Sequence, residues 1–153
     1  MSGAMNGITA EIVNRVLEAI AEAGLVEVEV SARHVHLSEK DWEILFGSAQ
    51  KDLTPKRPLS QPGQYLSEER VSLITPKGRM DRVAVLGPFR GQTQVELSKS
   101  DCVSLGIDAP IRESGHIDGS GRITIEGPKG AVTIPQGVII AKRHVHVPEA
   151  AAR

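Results

Sequence analysis

Four of the five histidines stand in two His-x-His pairs, His34/His36 and His144/His146, each inside the same four residues, Arg-His-Val-His. On a strand, residues two apart share a face. Each pair therefore presents two imidazoles side by side, as a metal held by nitrogens at about 2.0–2.1 Å requires. One such pair alone would read more simply as surface decoration or a hydrogen-bonded rim; the recurrence of the motif after two apolar strands favours a metal role. Imidazole suits zinc, copper, nickel and iron, and the single Cys102 cannot build a thiolate cage, so zinc is the first candidate. The candidate third ligand is Glu96, in the segment GPFRGQTQVELS, because a carboxylate in an otherwise apolar strand is costly to bury unless something pairs with it. A solvent-facing Glu96 between Gln94 and Ser98 fits the sequence equally well. Arg90, in the same segment, offers a guanidinium among several backbone N–H groups, suited to bidentate binding of phosphate or carboxylate, although a solvated turn would look the same. Cys102 has no basic sequence neighbour to activate it and reads as a core thiol. His116, in the glycine-rich ESGHIDGSG, reads as exposed and uninvolved.

These groups need elements to hold them. After a polar lead over residues 1–7, apolar residues recur at three- and four-residue steps from Ile8 to Ala23, predicting an amphipathic helix closed by Gly24. That helix either packs on the rest of the chain or serves as a docking tag. Alternation from Val26 to Ala32 predicts a half-buried strand running into the first histidine pair. Ser38 with Asp41 three residues on predicts a capped short helix ending at Gly47, and Ser98 caps a second, KSDCVSL, ending at Gly106. The three prolines between Ser48 and Gln64 predict an ordered loop with at most one short extended piece. Brief apolar runs follow as strands: VSLIT, MDRVAVLG, TQVEL, RITIEG, AVTIP and GVIIAKRHVHV. Their spacing predicts a sandwich or small barrels with helices as plugs. Two internal echoes, Arg33–His36 with Arg143–His146 and Thr75-Pro-Lys-Gly78 with Gly127-Pro-Lys-Gly130, point to a duplicated unit. The second copy stops one turn into the helix that the first completes, so the chain reads as cut short at its C-terminus.

Composition excludes several classes of function. The chain has 153 residues, enough for one domain or two small ones, and a net charge of −1, so there is no broad field for nucleic acid or an anionic membrane. The only aromatics are Trp42, Phe46, Tyr65 and Phe89, too few for base-stacking platforms. One cysteine fits a reducing compartment, and no apolar run or basic-then-apolar start suggests a membrane span or secretory signal; the expectation is a cytoplasmic protein.

Four segments in order, SARHVHLSEKDWEILFG, LTPKRPLSQPGQYLSEERVSLITPKGR, LGPFRGQTQVELSKSDCVSLGIDAPIRESG and ITIEGPKGAVTIPQGVIIAKRHVHVPEA, resemble the PduL-type phosphate propanoyltransferases, the phosphotransacylases of bacterial microcompartments. The resemblance implies a mainly β fold: two small β-barrels from a duplicated domain, capped by short helices, with an N-terminal amphipathic helix similar to the segments that target such enzymes into shells. The organisation expected is a lead and helix over residues 1–24, a first His-x-His strand and central barrel over 25–110, and a second repeat over 111–153. It also implies two metals, usually zinc, with His34, His36 and Glu96 as one ligand set, His144 and His146 in the other, and Arg90 as the catalytic arginine that holds phosphate. Family members run on for several tens of residues with a further histidine ligand. The activity implied is acyl-CoA + phosphate ⇌ acyl phosphate + CoA, with propanoyl-CoA as substrate, by direct attack of phosphate, since no residue is an obvious covalent nucleophile. Other readings of the same residues are a metal-dependent hydrolase and a non-catalytic metal-stabilised barrel. A homodimer sharing strands is one way to complete the first barrel, and shell or core proteins are candidate partners of the helix.

Overall fold

The computed structural model describes residues 2–24, 33–49 and 52–144. The chain forms two compact units, residues 1–31 and 32–153. The first carries helix α1 (Ser2–Glu22), which starts ahead of the expected Ile8, and Gly24 beyond it takes φ +69°. Arg15 pairs with Glu11 one turn earlier at 3.1 Å, and Ile12, Val13, Val16, Leu17 and Ile20 are all exposed. The strand expected over Val26–Ala32 and the pair member His146 lie outside the described residues.

The second unit is mainly β. In chain order it holds β1 (His34–His36), α2 (Glu39–Phe46), β2 (Pro55–Pro58), β3 (Tyr65–Ile74), β4 (Arg79–Gly87), β5 (Gln94–Glu96), α3 (Lys99–Leu105), β6 (Ile111–Arg112), β7 (Gly121–Glu126) and β8 (Ala131–Ala141). Six strands close one barrel in the order β3-β4-β1-β5-β8-β7, with β7 returning to pair with β3; β2 and β6 add to β3 and β8. Two differences from the sequence expectation have simple causes. β3 begins at Tyr65 because Glu68, Glu69 and Arg70 lie on a two-sided strand whose polar residues conceal the alternation, and β8 runs unbroken through Pro135 and Gly137 where the proline suggests a break.

The barrel is built from two copies of one strand–helix unit. His34-Val-His-Leu-Ser38 with Asp41 and Gln94-Val-Glu-Leu-Ser98 with Asp101 correspond residue by residue. In each, a valine (Val35, Val95) and a leucine (Leu37, Leu97) enter the core, and a serine hydroxyl caps the helix by accepting from the aspartate N–H three residues on. Around α3 the capping box is complete, and Asp101 also takes Arg33 at 3.0 Å. Trp42 stacks on Phe46 with centroids 4.2 Å apart, and Phe89 closes on the same indole at 5.6 Å.

Each unit's helix ends on the other half's Pro-Lys-Gly turn. The Thr75 hydroxyl donates to the carbonyl of Leu105 at the end of α3 (2.7 Å), while the Lys129 N–H donates to that of Leu45 in α2 (2.9 Å). The echoed turns are the two hairpins that carry this exchange. Gly127 is needed there because a Cβ would stand 2.5 Å from the Leu45 carbonyl oxygen.

Candidate functional site

β1 and β5 are antiparallel neighbours, with His34 opposite Glu96 and His36 opposite Gln94. Since Val35 and Val95 point into the core, period-two alternation turns these four polar side chains together onto the opposite face. The duplicated unit thus places two imidazoles and one carboxylate on a single patch, all buried. The candidate ligand atoms of His34, His36 and Glu96 lie within 4.8 Å of one another. His34 Nε2 is 3.5 Å from Glu96 Oε2, and the two imidazoles meet edge to face with centroids 5.1 Å apart. Glu96 is buried, not on the solvent face.

The electrostatics suit a cation. Burial is the main cause that lowers the pKa of His36 from 6.5 to about 3, with the charges of Arg90 and His34 adding to it, so at neutral pH this imidazole is unprotonated and can donate a lone pair. Burial alone would raise Glu96; the hydrogen bond and charge of His34 and the hydrogen bond of Ser114 outweigh it and hold the carboxyl at about 2. A neutral imidazole beside an ionised carboxylate is the protonation state that metal binding demands. Two nitrogens and one oxygen leave room for a substrate or water, the pattern of an open catalytic zinc site. The residues fit the metal that the sequence implies.

Two donors fix Glu96 Oε1: Gln94 Nε2 at 2.6 Å and the Ser114 hydroxyl at 2.7 Å. Neither was expected from the sequence. Gln94 was readable, since it lies two residues from Glu96 on one strand. Ser114 was not, because it arrives from the loop before β7. Arg90 is half-buried beside this network; its backbone N–H donates to the Leu37 carbonyl, and its guanidinium donates to the Ser114 hydroxyl at 2.9 Å. It lies between two cavities, one of 290 Å³ that also reaches His36 and the Pro62–Gln64 turn, and one of 380 Å³ shared with Gln94, Arg112 and His116. The sequence-predicted Arg90 is therefore brought to the histidine–glutamate cluster. His116 is exposed, with Nδ1 3.9 Å from Glu113, yet it lines the larger cavity. Cys102 is a buried thiol whose pKa burial raises, as a core residue should show. His144 is exposed, its Nδ1 2.6 Å from the Lys142 carbonyl, and it is not among the three clustered ligands.

Residues 27–153 match the sequence profile of the phosphate propanoyltransferase family. The chain belongs to that family. It is 50% identical over 126 residues to a phosphate propanoyltransferase of Thermotoga maritima, covering 82% of this chain and 59% of that relative. A relative of the same name in Clostridioides difficile is 45% identical over 143 residues (94% of this chain, 68% of the relative). One in Listeria monocytogenes is 47% identical over 145 residues (95% and 67%). The chain thus spans about three fifths of the length of the Thermotoga relative and about two thirds of the other two. The matched region contains β1, β5, Arg90 and the whole barrel.

Proposed function

We propose that the chain is a phosphate acyltransferase acting on a short acyl-CoA, with propanoyl-CoA as its substrate, in the reaction acyl-CoA + phosphate ⇌ acyl phosphate + CoA. The observation that carries this reading is the buried cluster of two imidazoles and a carboxylate beside a half-buried arginine, in a chain of this family. His34, His36 and Glu96 would hold one metal, zinc by their chemistry, and His144 with His146 would contribute to a second. When bound, such a metal supplies Lewis acidity to a thioester or to its leaving sulfur.

The chain's own residues do the rest. Arg90 binds the phosphate dianion and orients an oxygen toward the carbonyl carbon, converting a bimolecular encounter into a positioned one. Glu96, held ionised, and His36, held neutral, are ready to ligate without first losing a proton. Attack by a phosphate oxygen forms the C–O bond, and collapse breaks the C–S bond and releases CoA as thiolate. The lone pairs of the Ser114 hydroxyl accept from Arg90 and Gln94, and Cys102 is in the core, which favours phosphate over a side chain as the nucleophile.

Other assignments rest on the same family reading: a place inside a bacterial microcompartment, shell or core proteins as partners of the N-terminal helix, and a homodimer. The exposed apolar residues of the helix support a partner for it. CoA release from propanoyl-CoA, measured with and without phosphate, tests the activity. Release that needs phosphate is expected; release at the same rate without it would mean a hydrolase.

A further inference from the structure

Ser114 sits at a three-way junction that the activity does not by itself call for. Its hydroxyl accepts from Arg90 at 2.9 Å and from Gln94 Nε2 at 3.0 Å, and donates to Glu96 Oε1 at 2.7 Å. Hydrogen-bond accounting fixes every direction in this network. Guanidinium and amide N–H groups only donate, so both serine lone pairs are used and its single proton must go to the carboxylate. Gly115 N–H donates to Gln94 Oε1 at 2.7 Å, which turns the amide so that Nε2 faces Glu96 and Ser114. Glu96 Oε1 therefore receives two donors, while Oε2 remains toward His34.

We infer that Ser114 and Gln94 are positioning residues that lock one oxygen of Glu96, leave the other for metal ligation, and tie that carboxylate to the anion-binding guanidinium of Arg90 through one hydroxyl. This rests on the reading that His34, His36 and Glu96 hold a metal. The network has a physical purpose: a carboxylate with both oxygens free can swing between one- and two-oxygen ligation, and an arginine side chain without an acceptor samples many rotamers. Here one loop residue restrains both. The loop itself is pinned from below, because Gly115 and Ser114 bond to β5 residues, and from the side, because Lys142 reaches Glu113 at 3.2 Å.

The test is Zn²⁺ affinity of the full chain, measured by competition with a chromophoric chelator in the absence of any substrate. Ser114→Ala should bind Zn²⁺ about 10-fold more weakly, the usual cost of losing an outer partner of a ligand. Ser114→Thr, which keeps the hydroxyl at an exposed position, should bind close to wild type. The effects of Ser114→Ala and Arg90→Ala should be non-additive, because the two groups share one bond to the carboxylate's partner. Wild-type affinity in Ser114→Ala, or an equal loss in Ser114→Thr, would overturn the inference. His34→Ala separates the two levels. If it weakens binding while Ser114→Ala does not, the positioning role alone is wrong; if wild type itself binds no Zn²⁺, the metal reading fails and this inference falls with it.

Discussion

A neutral histidine and an ionised glutamate, both buried, make the metal-free protein sensitive to acid in a direction that follows from their shifts. His36 has a folded pKa near 3 against 6.5 when free, and Glu96 near 2 against 4.5. In both cases the unfolded chain binds the proton more readily, so stability is complete above the free value and declines as pH falls toward the folded one. The metal-free protein should lose stability from pH 6.5 downward through His36, with Glu96 adding to the loss below 4.5. Urea unfolding of the chelator-treated protein across this range checks it, and His36→Ala should remove the upper part of the slope. A midpoint that stays constant between pH 7 and 4 would show that neither group is held as described. At this scale the sequence was informative about type and less so about surroundings. Two His-x-His pairs and Arg90 could be named from their spacing, but Glu96 was balanced between core and solvent. The deciding fact was that β5 lies against β1, a pairing of residues some sixty positions apart that no local pattern encodes.

At the scale of elements, the barrel depends on two strand–helix units and on the exchange of helix ends and hairpin turns. The short helices were legible because each carries its own cap, Ser38 with Asp41 and Ser98 with Asp101, and the Pro-Lys-Gly turns announced themselves as an echo. The more useful repeat was less visible: His34-Val-His-Leu-Ser matches Gln94-Val-Glu-Leu-Ser in its apolar and capping residues, while the residues that do chemistry differ. The differing positions, His34 against Gln94 and His36 against Glu96, are the ones that would have made the repeat conspicuous. The turn that seats α2 gives a direct test. Adding a Cβ at Gly127 puts it 2.5 Å from the Leu45 carbonyl oxygen, and a backbone atom cannot step aside as a flexible side chain would. Gly127→Ala should cost about 1–3 kcal/mol, the range for overpacking a fitted contact. Thermal unfolding would show it, and an unchanged midpoint would mean that α2 is not seated on that turn.

For the molecule as a whole, the mainly β character, the capping helices and the N-terminal helix were all readable from turn spacing and periodicity, whereas closure of the barrel was not. Its ring mixes parallel and antiparallel pairs and joins β3 to β7 and β5 to β8, and such order emerges only when every strand edge has found a partner. The helix over residues 2–22 belongs to a separate compact unit and exposes five large apolar side chains. On the proposed reading of this helix as a docking segment, deleting residues 1–24 should leave metal content and phosphate-dependent CoA release at full-length levels and abolish recruitment to a shell. Loss of turnover on deletion would instead make the helix part of the catalytic unit.

On the proposed reading, phosphate-dependent thioester cleavage depends on a metal held at the β1–β5 patch. Metal content and CoA release from propanoyl-CoA, measured with phosphate on the same samples of wild type and of the His34→Ala, His36→Ala double variant, check this dependence. Metal at this patch and CoA release should disappear together in the variant. A double variant that has lost the metal and still releases CoA at the wild-type rate would contradict it.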